Sequence, residues 1–179
     1  MTSRERFKPG TVYVTYIAAA PEAVWQALVD RTFTQQYFFG LSIDIEPRTG
    51  GAFRLLMPDG SAHVTGDVIA WEPPRRLDVT WQVAGMKGFD ALPACLVSYE
   101  IEPAGACVRL TMTESHSWAI PEAILQGGRS GWPQILSSLK SLLETGKPLQ
   151  IEKKDPPAGF LAAVEHAVAT KPWLREDRG

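Results

Sequence analysis

The 179-residue chain carries 18 Lys and Arg against 20 Asp and Glu, a formal net charge of −2, so its charge gives no reason to expect nucleic acid or an anionic membrane surface as a partner. With 45% apolar and 21% charged residues, it has the composition of an ordinary globular protein. No apolar run reaches the length of a membrane span, and MTSRERFKPG at the start lacks the apolar core of a signal peptide. These features predict a cytoplasmic protein without membrane insertion.

The first 40 residues predict one strand followed by two short helices. Residues 11–17, TVYVTYI, are β-branched and aromatic, which favours a strand. A short helix follows in AAAPEAVWQALVD, with Pro21 at its first position. Thr32 is the expected cap of the second helical turn, in which Phe33 and Tyr37 are four residues apart.

From residue 41 onward, alternating segments separated by Gly, Pro and Asp predict a series of antiparallel strands. The segments are LSIDIE, AFRLLM, HVTGDVIAW and RLDVTWQV, and two more, CLVSYEIEP and CVRLTMTESH, form a hairpin. In the predicted register of that hairpin, Glu102 is opposite Cys107 and Cys95 is opposite Glu114. The two cysteines are then about 23 Å apart at 3.3 Å per residue, too far for a disulfide.

Residues 131–148, GWPQILSSLKSLLETGKP, predict a long amphipathic helix near the end of the chain. We expect Pro133 in its first turn, after a turn at Gly127-Gly128, and Gly146 at its end. Its apolar stripe consists of Trp132, Ile135, Leu136, Leu139, Leu142 and Leu143. Such a stripe needs a large apolar surface, and a sheet that is apolar on one face provides it.

The predicted division is a main domain at residues 1–150 and a C-terminal extension at 151–179. Within the extension, Phe160, Leu161 and Val164 belong to a short amphipathic helix in the segment 155–174. This helix docks either on its own domain or on a neighbouring chain, and a homodimer through the tail is one expectation.

The order of these segments resembles the START-like (SRPBCC) superfamily of helix-grip domains. The similarity rests on the first strand with APEAVWQALVD, on TGGAFRL, on GDVIAWEPPRRLDVTW and on GWPQILSSLKSLLETG. The chain looks most like the branch related to the C-terminal domain of the activator of heat shock protein 90 ATPase. The resemblance implies an α+β fold in which a curved antiparallel sheet of six to seven strands wraps on the long helix, with a cavity between them.

Candidate ligand-binding residues are the inward positions of the sheet and helix together with aromatic residues at the expected mouth. They are Phe38, Phe39, Phe53, Leu55, Met57, Trp81, Val83, Tyr99, Leu110, Met112, Glu114, His116, Trp118, Trp132, Leu136 and Leu139. The alternative is that the apolar members simply pack a solid core.

Three polar residues are candidates for chemistry. Glu114 and His116 continue the inward alternation of their strand, and Cys95 is placed near them. They could form a nucleophile and base set, they could orient a ligand by hydrogen bonds, or they could mark a solvated strand end. Scattered histidines and the absence of a CxxC motif give no case for a metal, and no cofactor is expected.

The sequence therefore predicts the binding of a small, largely apolar molecule between the sheet and the long helix. A protein-interaction domain resembling a co-chaperone is the alternative, and an enzyme acting in the same cavity is less favoured.

Overall fold

The structure, a computed structural model, describes residues 5–152 and 154–176. The predicted main domain (1–150) and C-terminal extension (151–179) include residues 1–4, 153 and 177–179, which lie outside the described residues. The division of the chain into these two parts stays a prediction. The strands are β1 (Lys8–Ile17), β2 (Ser42–Ile45), β3 (Ala52–Leu56), β4 (Ala62–Glu72), β5 (Arg76–Val83), β6 (Cys95–Ala104) and β7 (Cys107–His116). The helices are α1 (Pro21–Val29), α2 (Arg31–Tyr37), α3 (Glu122–Thr145), α4 (Phe160–Thr170) and α5 (Trp173–Glu176), with a 3₁₀ turn at Phe89–Ala91.

The strands form one antiparallel sheet in the order β1-β7-β6-β5-β4-β3-β2, which confirms the predicted α+β helix-grip architecture. Helix α3 packs on one face of this sheet through its apolar stripe, and Leu139 at the centre of the stripe is fully buried. Gly66 allows close approach within the sheet, because a Cβ at this position would clash with the Thr80 carbonyl group. A glycine at such a point is typical of a bend in a strand.

Two predicted helix starts are wrong. Helix α3 begins at Glu122, so Pro133 lies inside the helix and Gly127-Gly128 do not form a turn. Its end at Gly146, with φ 76°, is as predicted. For α2, the capping side chain is that of Asp30, which accepts a hydrogen bond from the Thr32 backbone N–H at 2.7 Å.

The β6–β7 hairpin has the predicted strands but a register shifted by two residues. Ala104 pairs with Cys107 across a two-residue loop, and Val97, not Cys95, is opposite Glu114. Gly105 takes a φ of 67° at the first loop position, a conformation that suits a tight hairpin. Because side chains alternate with a period of two, this shift leaves every residue on its predicted face.

Candidate functional site

Five aromatic rings occupy the space between the sheet and α3. This aromatic cluster consists of Phe38, Phe53, Trp81, Tyr99 and Trp132. The Trp132 ring centroid lies 5.2 Å from that of Trp81 and 5.7 Å from that of Phe38, the latter pair edge to face. Trp81 also lies 5.6 Å from Phe53 on the neighbouring strands. The helix therefore contacts the sheet through large rings, in geometries that aromatic pairs favour.

The rings leave little free volume between them. The space enclosed beside Phe38, Trp81 and Tyr99 measures about 20 Å³, enough for roughly one water molecule. A ligand of drug size needs several hundred cubic ångströms. Binding at this place therefore requires that the interior open.

A buried polar group lies at one end of the aromatic cluster. Glu114 and His116 point inward near the end of β7, and their side chains are only 12% and 8% exposed. Glu114 Oε2 accepts a hydrogen bond from the Trp132 indole N–H at 2.7 Å, and Oε1 lies 2.9 Å from His116 Nε2. The interpretation as a solvated strand end is therefore wrong, since both side chains are buried and hydrogen-bonded.

Two glycines allow the backbone to approach this polar group closely. On α3, a Cβ built at Gly128 would lie 2.8 Å from Glu114 Oε2. On β1, a Cβ built at Gly10 would lie 3.0 Å from His116 Cδ2. The sequence pattern predicted a turn at Gly128. Its role is instead to leave room inside a helix for a buried carboxyl group.

Two hydroxyl groups on β1, which were not among the predicted site residues, belong to the same end of the interior. Thr11 pairs with Glu114 across the β1–β7 ladder, and Tyr13 is the next residue on the same face. Their oxygens are buried and have no hydrogen-bond partner beyond a contact with each other. Counting back by two from the fully buried Ile17 would have placed both side chains inward.

Cys95 is not an activated nucleophile. Burial, and then the nearby Glu114 carboxylate, raise the pKa of the Cys95 thiol well above its ordinary value. A thiolate is the reactive form of cysteine, so these surroundings keep Cys95 protonated and unreactive at neutral pH. Glu114 and His116 are thus better suited to hydrogen bonding than to a cysteine-based reaction.

The C-terminal extension packs on the rest of the chain through a second apolar cluster beside α3. The tail cluster consists of Phe89, Leu92, Trp118, Ile124, Phe160, Val164 and Ala167. The rings of Phe160 on α4 and Phe89 on the 3₁₀ turn lie 5.4 Å apart. Gly127 on α3 contacts Phe160 closely, because a Cβ there would lie 2.9 Å from Phe160 Cζ and closer still to Cε2. The apolar face of α4 therefore docks on its own domain, while Leu161 remains 55% exposed.

The sixteen candidate residues separate into three groups. The main core contains Phe38, Phe53, Leu55, Trp81, Tyr99, Leu110, Met112, Trp132, Leu136 and Leu139, with Glu114 and His116 at its polar end. Val83 and Trp118 pack in the tail cluster instead. Phe39 and Met57 are 43% and 40% exposed and do not line the interior. Met57 follows the end of β3, so the strand alternation no longer determines where it points.

An open groove of about 490 Å³ runs beside α2 and the β3–β4 turn, with Arg31, Gln35 and Met57 among its lining residues. It is larger than the enclosed space but open to solvent and partly polar. The described residues contain no cluster of three or more metal-binding side chains. Among the same residues, every helix is too short or too polar to cross a bilayer.

A family model described as "Activator of Hsp90 ATPase homolog 1-like protein" matches residues 18–144. Protein MLL2253 from Mesorhizobium loti is 26% identical, with a TM-score of 0.60 over 74% of this chain and 96% of that chain. No curated protein is significantly similar in sequence.

Two further solved structures share the fold. CalU16 from Micromonospora echinospora, in its solution structure, is 20% identical with a TM-score of 0.63, covering 94% of this chain and 87% of that one. The Aha1 dimer from Colwellia psychrerythraea is 19% identical with a TM-score of 0.60, covering 76% of this chain and 96% of that one. The match with CalU16 covers 94% of this chain, which is a larger share than residues 1–150 make up. It therefore extends into the C-terminal tail.

Proposed function

The chain belongs to the family of proteins like the activator of Hsp90 ATPase homolog 1, and on this premise we propose that it binds a small, largely apolar molecule between the sheet and α3. One observation carries the proposal: a hydrogen-bonded polar group, Glu114 with His116 and Trp132, is buried at the end of an aromatic interior. Binding sites commonly combine apolar walls with a few placed polar groups.

Affinity would come mainly from the aromatic cluster. Burial of apolar ligand surface contributes about 25 cal/mol per Å², and the rings of Trp81 and Trp132 are 5.2 Å apart at the centre of the interior. Separating these two rings would create flat apolar walls on either side of a ligand. A ring-containing molecule fits such walls better than a flexible polar one.

Entry requires the tail cluster to act as a lid. Helix α4 packs on α3 and on the 3₁₀ turn through a separate apolar cluster, so it can detach without disrupting the main core. Gln82 Nε2 donates a hydrogen bond to the Phe89 carbonyl at 2.9 Å, which ties the 3₁₀ turn to β5. Displacement of Phe160 would open the end of the interior nearest Glu114, since Phe160 lies against Gly127 and Glu114 against Gly128.

A thermal-shift screen of the full chain tests the proposal. The panel consists of neutral aromatic and aliphatic molecules and includes naphthalene and 2-naphthol. A ligand at 100 times its dissociation constant stabilises the protein by about 2.7 kcal/mol, which raises the Tm of a chain of this length by roughly 5–10 °C. If no member of the panel raises the Tm, the proposal is wrong.

Two variants of α4 distinguish binding under the lid from binding elsewhere. Phe160→Ala removes the ring at the centre of the tail cluster, whereas Leu161→Ala removes an exposed side chain of the same helix. Phe160→Ala should increase the association rate of a ligand found in the screen, and Leu161→Ala should leave the rate unchanged. Equal rates in all three proteins would place the ligand outside the lidded interior.

A second candidate function is association with another chain, with a second copy as the simplest partner. Leu161 and Leu174 of the tail are 55% and 57% exposed, beside the face that docks in cis. Size-exclusion chromatography with light scattering compares the full chain with a Leu161→Lys, Leu174→Lys double variant. A dimer mass that falls to the monomer mass in the variant supports association through the tail, and a monomer mass for both proteins contradicts it.

A further inference from the structure

The buried hydroxyl groups of Thr11 and Tyr13 are the strongest unexplained feature of the interior. Buried polar atoms in folded proteins nearly always have a partner, yet neither of these two oxygens has a hydrogen-bond partner outside the pair. Both belong to the inward face of β1, and Thr11 is directly opposite Glu114. Two hydroxyl groups with unused hydrogen-bonding capacity therefore lie beside a buried carboxyl group whose two oxygens already have partners.

We propose that Thr11 and Tyr13 form a polar subsite that binds a neutral oxygen of the ligand, a hydroxyl or ketone group attached to its apolar ring system. This inference rests on the proposed ligand-binding function and specifies the class of ligand. Each hydroxyl group can donate one hydrogen bond and accept others, so together they match a ligand oxygen that accepts, or both accepts and donates.

The neighbouring charges favour a neutral group over an anionic one. The charge of Glu114 acts on Tyr13 more strongly than that of Arg129 on α3, so it would repel a ligand carboxylate at this position. Arg129 is paired with Glu122 on the same helix, so its guanidinium is already engaged. Trp132 and His116 each occupy one oxygen of Glu114. The hydroxyl groups of Thr11 and Tyr13 are therefore the groups at this place that can bind a ligand oxygen.

The protonation state of Tyr13 supports this role. Burial, and next the Glu114 charge, raise the pKa of the Tyr13 hydroxyl above its ordinary value. Tyr13 therefore remains a hydrogen-bond donor throughout the neutral range. A donor that stays protonated suits a ketone or hydroxyl oxygen.

The test compares three matched probes by calorimetric titration of the full chain. Naphthalene has no polar group, 2-naphthol adds one hydroxyl group, and 2-naphthoate adds a negative charge. We expect 2-naphthol to bind roughly two- to tenfold more tightly than naphthalene, the range of one net hydrogen bond, and 2-naphthoate to bind more weakly than 2-naphthol.

Variants assign the difference to the subsite. Tyr13→Phe and Thr11→Val remove one hydroxyl group each with little change in shape, and each should bring the affinity ratio of 2-naphthol to naphthalene closer to one without weakening naphthalene. Tyr16→Phe is the control, because Tyr16 lies on the same strand but is 54% exposed. It should leave the ratio as in the wild type.

The outcomes separate the two proposals. Equal binding of naphthalene and 2-naphthol by the wild type overturns the subsite but leaves the ligand-binding interior standing. Tightest binding of 2-naphthoate overturns the preference for a neutral oxygen. A ratio unchanged by both Tyr13→Phe and Thr11→Val overturns the assignment to these residues. Failure of the whole thermal-shift panel overturns the proposed function itself.

Discussion

The indole Nε1 of Trp132 donates a hydrogen bond to Oε2 of Glu114 at 2.7 Å, inside the protein. This contact joins the middle of α3 to the last residues of β7 at the place where the aromatic and polar parts of the interior meet. It also fixes the orientation of one of the two tryptophan rings in the aromatic cluster. The contact makes the Glu114 carboxyl group part of the helix–sheet interface.

A double-mutant cycle measures the strength of this contact. Trp132→Phe and Glu114→Leu should each lower the free energy of unfolding by about 1–3 kcal/mol, because each leaves a buried polar group without its hydrogen-bond partner. The double variant should lose less than the sum of the two. Urea denaturation of the four proteins gives the coupling energy, and losses that add to within about 0.5 kcal/mol would mean that the hydrogen bond contributes nothing.

Two glycines of α3 predict opposite effects of the same substitution. Gly127→Ala places a Cβ against the Phe160 ring, whereas Gly131→Ala meets no atom within 4 Å. Gly131→Ala should stabilise the helix by about 0.5–1 kcal/mol and raise the Tm. Gly127→Ala should displace α4 and increase hydrogen exchange of residues 160–170.

The packing of Phe160 on α3 is contradicted if Gly127→Ala raises the Tm as Gly131→Ala does and the hydrogen exchange of α4 does not change. Phe160 would then not pack against α3 in solution. The lid would then have no basis, although the main core would be unaffected.

Alkaline pH should destabilise the fold through two buried tyrosines. Burial raises the pKa of Tyr37, and burial followed by the Tyr37 charge raises that of Tyr99. The unfolded chain therefore loses these protons first, so stability is complete below the unfolded tyrosine pKa of about 10 and falls as the pH rises above it.

Urea denaturation between pH 8 and pH 11 measures this effect. The free energy of unfolding should fall above pH 10 with a slope that approaches roughly 1.4 kcal/mol per pH unit for each tyrosine. Tyr37→Phe should reduce the slope, although it also removes a hydrogen bond to the Ala27 carbonyl at 3.0 Å. A free energy independent of pH across this range would show that these hydroxyl groups are exposed.

The sequence predicted the sheet better than the details of the interior. Alternation alone placed Tyr99, Met112 and Glu114 on the inward face, and the two-residue error in the hairpin register did not change this, because the period of a strand is two. The start of α3 was missed because Gly127, Gly128 and Pro133 usually interrupt helices. Here the two glycines are required by contacts with Phe160 and Glu114, which only the folded chain brings together.

The inward face of β1, which carries the polar subsite, was also difficult to predict from the sequence. In TVYVTYI the residues Val12, Val14 and Tyr16 point outward and are about half exposed, while Thr11 and Tyr13 point inward. The two valines favour the opposite assignment. The inward assignment is indicated only by Ile17 at the end of the strand, which shares the face of Thr11 and Tyr13.

The most direct test of ligand binding beneath α3 follows the indole N–H resonance of Trp132 by ¹⁵N–¹H NMR during titration with the tightest ligand from the thermal-shift panel. The Trp132→Phe variant assigns this resonance. We expect this resonance and the backbone resonances of residues 160–170 to shift together with one dissociation constant, because the ligand enters beneath α3 and displaces the lid. If the ligand instead shifts only residues around the open groove, such as Gln35 and Met57, or leaves the Trp132 resonance unchanged at saturation, the proposed ligand-binding interior is wrong.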